Sequence, residues 1–250
     1  MQRIILFSLL IFICTVCFFS CKKTETNLYV SDNAYYPLQT GSSFIYRLDS
    51  TVLAPFGTAL VVDSYLLKDS IESTFNDDAG RLSYRVYRFI TDTLQLTGWQ
   101  YLSTYYITPT ATDIEVMDDN NYRFIKLISP VVQGNSWLGN SFIDTKSINS
   151  PVQFMDGWNY TYQNVNMPYT VPGGTIDSTV TVLQNEESIP DTTFQQSDPF
   201  YEQITAVEVY AKGIGLIYKN FLHWTWQTEP QPAYQDGSYG IQLSLISYNP

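Results

Sequence analysis

The sequence predicts an all-β protein whose predominantly antiparallel strands form a curved sheet or a sandwich or half-barrel, with few short helices. Polar and apolar residues alternate in short runs from residue 35 onward, and turn-forming residues separate these runs. No stretch after the first 20 residues keeps helical spacing over three turns. The composition agrees, because aromatic residues favour strands and make up 16% of the chain.

The chain opens with a short apolar segment behind a single positive charge. Arg3 precedes an apolar run over residues 4–19, which is shorter than the roughly 20 residues of a membrane-spanning helix. A charged start, a short apolar segment and a small residue before the cleavage point are typical of a secretory signal peptide. The small residue is Ser20, and Cys21 follows it.

Ser20 and Cys21 resemble the cleavage site of a bacterial lipoprotein signal peptide, although Phe18 and Phe19 replace the leucine and small residue usual there. The resemblance implies a signal peptide over residues 1–20 and a lipid-modified Cys21. Stable anchoring needs more than one acyl chain, which a triacylated cysteine supplies. We therefore expect a lipid-anchored protein of the outer membrane. An uncleaved anchor and a plain secreted protein are the alternatives.

The residues that follow Cys21 indicate on which side of the outer membrane the protein lies. Lipoproteins of this type that reach the cell surface carry acidic residues there, whereas this chain has Lys22 and Lys23. This departure favours the periplasmic side over the cell surface.

Residues 21–34 are polar and predict a tether, and residues 35–250 predict a single β-rich domain without an internal linker. The first strand places Phe44, Tyr46 and Leu48 on one face. Further alternating runs lie at 81–90, 122–128, 158–165, 177–184 and 241–248. Turns are predicted at 76–80, 117–121, 171–174 and 211–215, a longer loop at 228–240, and one helical turn at 198–203.

Three segments of the domain, 35–50, 127–140 and 208–224, carry a wider similarity. They resemble uncharacterised lipoproteins of Bacteroidetes-type bacteria, which share an N-terminal Pro-Leu-x-x-Gly entry and a C-terminal Tyr-Ala-x-Gly-x-Gly-Leu strand pair. The matching residues are Pro37, Leu38, Gly41, Tyr210, Ala211, Gly213, Gly215 and Leu216. The resemblance implies the fold and an envelope location, and it implies no activity.

The charge excludes one class of partner. The formal net charge is −11, and nucleic-acid phosphates require a basic surface, so we expect no nucleic acid as a partner.

No motif predicts an enzyme, a metal or a cofactor. Gly213-x-Gly215 lacks the third glycine and the following helix of a dinucleotide site, which favours a hairpin turn. His223 is the single histidine and has no nucleophile motif beside it, which favours an ordinary strand residue. The acid pairs at 77–78 and 118–119 fall at predicted hairpin tips, where neighbouring carboxylates point apart.

The tryptophans are the candidate ligand-binding residues. Trp224 and Trp226 lie two apart on one predicted strand and therefore share a face, and Trp158 lies on another predicted strand. Such rings form stacking platforms for sugars or line an apolar cavity. The alternative is that they fill the core.

A repeated dipeptide suggests a modification. Aspartate followed by serine or threonine resembles the O-glycosylation acceptor of Bacteroidetes envelope proteins. The candidate acceptors are Ser50, Ser70, Thr93, Ser178 and Thr192.

The sequence therefore predicts a lipid-anchored, non-catalytic binding or accessory module of the cell envelope. The expected partners are the membrane, through the lipid, and another envelope protein or a glycan. The alternatives are a carrier of lipids or other hydrophobic ligands and a glycan-binding lipoprotein.

Overall fold

The computed structural model describes residues 31–250, and these form thirteen strands and three short 3₁₀ helices. The helices are Asp32–Tyr35, Pro55–Gly57 and Gln153–Met155. The strands are β1 (Ser43–Leu53), β2 (Leu60–Asn76), β3 (Leu82–Asp92), β4 (Gln100–Pro109), β5 (Asp113–Met117), β6 (Arg123–Ile128), β7 (Ser136–Trp137), β8 (Tyr160–Val171), β9 (Gly174–Ile189), β10 (Phe200–Ala211), β11 (Gly215–Gln227), β12 (Ala233–Tyr234) and β13 (Tyr239–Asn249). The predicted all-β class is confirmed. The signal peptide, Cys21 and most of the tether lie outside the described residues.

All thirteen strands belong to one antiparallel sheet. Twelve follow the order β6-β5-β4-β3-β2-β1-β13-β11-β10-β9-β8-β7, and β12 pairs with β11 off this path. Two meanders, β1–β6 and β7–β11, are thus joined through β13, the last strand. Among the described residues, no helix is long and apolar enough to cross a membrane.

The two edges of the sheet approach each other, so the sheet is nearly closed and barrel-like. The Ile125 N–H on β6 donates to the Gly139 carbonyl (2.7 Å), just after β7. The Trp137 indole N–H donates to the Ile125 carbonyl (2.8 Å). The Tyr162 hydroxyl accepts from the Ile128 N–H (2.7 Å) and donates to its carbonyl (2.8 Å). Side chains and loop backbone thus replace a continuous strand ladder at the seam.

The strand register defines an inner and an outer face, because residues paired across antiparallel strands point to the same side. One inner row runs Leu48, Leu243, Lys219, Glu208, Val182 and Tyr162. The Lys126 ammonium on β6 reaches the Glu208 carboxylate on β10 at 2.8 Å, although these strands are not neighbours in the sheet. This row therefore faces the enclosed side.

The first described segment packs against the β10–β11 hairpin. The Gly213 N–H donates to the Ala34 carbonyl (2.8 Å). Tyr35 is fully buried, and its hydroxyl donates to Asn166 (3.0 Å). Gly41 and Gly213 have φ of +97° and +76°, which favour glycine. The Pro-Leu-x-x-Gly and Tyr-Ala-x-Gly-x-Gly-Leu segments therefore meet at one end of the sheet.

The four predicted turns and the loop at 228–240 are confirmed as connections, the loop carrying the short strand β12, and Gly213-x-Gly215 lies in a hairpin turn. The predicted helical turn at 198–203 is wrong, because β10 begins at Phe200. The Asp198 carboxylate instead accepts from the Gln195 N–H (2.8 Å) and closes a preceding turn. Tyr201 stacks on Trp224 at a centroid distance of 5.2 Å, so tertiary packing favours the strand.

Candidate functional site

The three tryptophans singled out above do not share a face. Trp224 and Trp226 do lie side by side, but on the outer face, where Phe194 and Tyr234 cover them. Trp158 packs on Phe221 in the inner core. All three are at most 6% exposed, so each belongs to a filled cluster.

The five candidate glycosylation acceptors differ in accessibility. Thr93, Ser178 and Thr192 are exposed, whereas Ser50 and Ser70 are half-buried within strands. Three of the aspartates before them have structural contacts, and Asp49 pairs with Arg47 at 2.9 Å. Asp69 pairs with Arg88, and Asp92 accepts the backbone N–H groups of Thr97, Leu96 and Leu94, which lowers its pKa to about 2. Glycosylation at these acceptors, like the lipid on Cys21, stays a prediction.

A cluster of aromatic side chains lies on the outer face of β3 and β4. A shallow groove there, which we call the aromatic groove, is lined by Arg85, Tyr87, Phe89, Tyr101, Thr104 and Tyr106. The register places Phe89 opposite Tyr101, Tyr87 opposite Thr104 and Arg85 opposite Tyr106. Three cross-strand rows thus bring the six side chains together.

Three rings of the aromatic groove contact one another. Centroid distances are 6.1 Å for Tyr87–Tyr101, 6.2 Å for Phe89–Tyr101 and 6.5 Å for Tyr87–Phe89, with interplanar angles of 82° to 87°. Such edge-to-face pairs are favourable and fix the ring orientations. Tyr101 is nevertheless 61% exposed, and its hydroxyl shares a hydrogen bond with Thr104 (2.9 Å). The exposed ring of Tyr101 among half-buried rings makes the groove the candidate binding surface.

Two cations border the aromatic groove. The Lys68 ammonium lies 4.9 Å from the Phe89 centroid and 5.1 Å from that of Trp99, and the Arg85 guanidinium lies 5.4 Å from that of Phe75. Neither cation forms an ion pair with an acid of residues 31–250. The groove is therefore basic on an otherwise acidic protein.

The inner face of the same strands carries a buried ion pair. Arg88 donates through Nε and Nη2 to the two carboxylate oxygens of Asp69, each at 2.8 Å, and the Tyr105 hydroxyl donates to the same carboxylate (3.0 Å). Asp69 is 2% exposed. Burial opposes ionisation of the guanidinium, but the charge of Asp69 and its hydrogen bonds outweigh burial and raise the pKa of Arg88.

A second inner group surrounds Glu208. Its carboxylate accepts from Lys126 (2.8 Å) and from the Tyr210 hydroxyl (2.7 Å), and Lys219 lies 3.7 Å away. Burial opposes ionisation of Glu208, but the charges of Lys126 and Lys219 outweigh it and lower its pKa. Burial, then the nearby Lys126 charge, lowers the pKa of Lys219 to about 8.

The single histidine and the acid pairs have local partners. The His223 Nε2 lies 2.8 Å from the Glu202 carboxylate, and the ring stacks on Phe154 at 4.0 Å. Asp77 and Asp118 accept backbone N–H groups within the β2–β3 and β5–β6 turns, as expected for hairpin tips. Within residues 31–250, no three His, Cys, Asp or Glu side chains cluster as metal ligands would.

Sequence reasoning missed both the aromatic groove and the inner charges. The signal was present in the segment Tyr87-Arg88-Phe89, where alternation places the two rings on one face and the charge on the other. Because Tyr84 and Val86 continue the face of Arg88, the rings belong to the outer face.

No protein-family model matches the chain, and the curated proteins include no match to it. The site is therefore interpreted from its geometry alone.

Proposed function

We propose that this chain is a lipid-anchored, non-catalytic binding or accessory module of the cell envelope, and that it binds its partner through the aromatic groove. The observation that carries the proposal is the groove itself, where Tyr101 is 61% exposed among rings held by mutual contacts. Tyrosine and arginine, which line the groove, are residue types enriched in interface hot spots.

Both edges of the sheet are poorly suited to pairing with another strand, which favours a sheet face as the binding surface. The β6 edge is occupied by Trp137 and Tyr162 at the seam. The β8 edge contains Pro168, and Asn164 and Asn166 have φ of 49° and 61°. Prolines and irregular backbone prevent an edge from pairing with another strand.

The cavity on the inner side is too small for a carried lipid. It lies beside Tyr36 and Leu216 and has a volume of about 20 Å³, enough for one water molecule. Charged groups around Asp69 and Glu208 occupy the neighbouring interior. These observations favour binding at the outer surface over carriage of a hydrophobic ligand.

The membrane attachment rests on Ser20 and Cys21. The variant Cys21→Ser should lose incorporation of labelled palmitate and leave the membrane fraction, because the thioether to lipid requires the thiol. Protease treatment of intact cells then separates the two sides of the outer membrane. We expect protection, in line with Lys22 and Lys23 after the cysteine, and digestion would place the protein on the surface.

The binding role is tested by a photo-crosslinking residue introduced at Tyr101 in intact cells that make the protein. The control carries the same residue at Tyr248, which is also exposed, at 45%, and lies on β13. We expect a discrete crosslinked species from position 101 that is missing from position 248. Equal or no crosslinking at the two positions would contradict the aromatic groove as the binding surface.

A further inference from the structure

We propose that the aromatic groove binds an acidic saccharide, an inference that rests on the binding role proposed above and names its ligand class. The geometry supplies three features of such a site together: aromatic rings, hydroxyl groups beside them, and cations without an acidic partner.

The rings and hydroxyls suit a ligand that is apolar on one side and polar at its rim. Tyr87, Tyr101 and Tyr106 each combine a ring with a hydroxyl, and Thr104 adds a fourth hydroxyl. A pyranose ring presents C–H bonds to an aromatic face and hydroxyl groups at its edge, so it meets both kinds of group at once. Sites for small polar ligands have this mixture of aromatic surface and a few placed polar groups.

The charge of the aromatic groove selects an anionic ligand. Arg85 lines the groove and Lys68 borders it through Phe89, whereas none of the six lining residues is acidic. The chain carries 24 acidic against 13 basic residues, so a basic face on it is a local exception. The guanidinium of Arg85 presents the planar fork that pairs with carboxylate or phosphate oxygens. A uronic acid or another acidic sugar can pair its anionic group with Arg85 and stack its ring on the aromatic side chains.

A protein partner fits the aromatic groove less well. None of the six lining side chains is aliphatic, and five of them carry a hydroxyl or guanidinium group. Protein interfaces are also enriched in aromatic side chains and arginine, but their desolvated centres are packed like a protein interior. Here the central ring, Tyr101, has its hydroxyl bound to Thr104 and faces solvent.

The test is a binding titration of the full-length lipidated protein in detergent micelles. The acidic probes are oligogalacturonate and hyaluronan oligosaccharides, and the neutral probes are galactan and dextran oligosaccharides of equal length. We expect saturable binding of at least one acidic probe and weakening by added salt, because exposed charges are screened. Tyr101→Ala and Arg85→Gln should each weaken binding about tenfold. Lys212→Gln, at an exposed lysine on the β10–β11 turn, should leave it unchanged.

Each other outcome overturns the assignment in a recognisable way. Equal affinity for neutral probes, or no effect of Arg85→Gln, would exclude charge selection. No binding of any probe, with a discrete protein crosslinked from position 101, would replace the saccharide with a protein partner and leave the binding role standing. No binding and no crosslink from position 101 would remove both proposals.

Discussion

Around Arg88, the two faces of β2 and β3 differ from the usual arrangement of a protein sheet, in which charges lie outside and aromatic rings inside. On the inner face, Asp69 and Arg88 form a buried ion pair. On the outer face, directly adjacent in sequence, Lys68, Tyr87 and Phe89 lie at the surface. In the segment Tyr87-Arg88-Phe89, the charge thus points inward and the rings point outward.

The two faces are therefore stabilised differently. The inner charges are held by short contacts, 2.8 Å for both Asp69–Arg88 and Lys126–Glu208, and removing one partner leaves a charge in the interior. The outer rings are held mainly by one another, with centroid distances above 6 Å. Substitutions inside should therefore affect stability, whereas substitutions outside should affect binding.

The largest effect is expected from Asp69→Ala. The change leaves Arg88 and the Tyr105 hydroxyl without their acceptor, and we expect a loss of about 3 kcal/mol in the free energy of unfolding. Urea denaturation measures it. The matched control is Asp49→Ala, which also precedes a serine but pairs with a half-exposed Arg47, and it should cost less than about 1 kcal/mol. Equal losses would show that the inner pair is as well hydrated as the outer one.

The seam provides the next largest effect. Tyr162→Phe removes the hydroxyl that bonds both the N–H and the carbonyl of Ile128, and we expect a loss of about 2 kcal/mol. Tyr101→Phe makes the same chemical change on the outer face, where water replaces the bond to Thr104, and should cost less than about 0.5 kcal/mol. Hydrogen exchange of the Ile128 amide should accelerate only in Tyr162→Phe. An unchanged Ile128 exchange rate would mean that other contacts close the seam.

A pH dependence of smaller size is expected from Lys219. Its pKa is about 8 in the folded protein and near 10.5 in the unfolded chain, so the unfolded chain binds more protons between these values. Stability should therefore rise with pH across this window. The side chain is 29% exposed, and we expect a gain of only about 1 kcal/mol between about pH 7.5 and 9.5. Above about pH 10 the buried tyrosines, whose pKa values are raised by burial, should reverse the trend.

The pH effect is tested by measuring the free energy of unfolding against pH for Lys219→Gln and for the control Lys212→Gln. The first should remove the rise in unfolding free energy, and the second should keep it because Lys212 is exposed. A rise that persists in Lys219→Gln would assign the titration to another group of the inner face.

Alternation and turn chemistry predicted the local structure well, but not which face carries charge. The face shared by Phe44, Tyr46 and Leu48 and the four turns follow from neighbouring residues. The inward direction of Lys126 depends on Glu208, 82 residues away, and a single sequence carries no signal for such a pair. The tryptophans are distinctive by residue type, whereas the exposed ring of the groove, Tyr101, is one tyrosine among 20 in the chain.

The smallest effect on stability is expected from Lys68→Gln. The ammonium lies over Phe89 and Trp99 at an accessible position, where such a cation–π contact contributes about 0.5 kcal/mol. Urea denaturation against Lys212→Gln, which removes an exposed lysine elsewhere, isolates that contribution. A loss above about 2 kcal/mol would mean that the outer face is as constrained as the inner one. A small loss means that the fold depends little on Lys68. The residue at this position beside the aromatic groove is then free to serve ligand binding instead of stability.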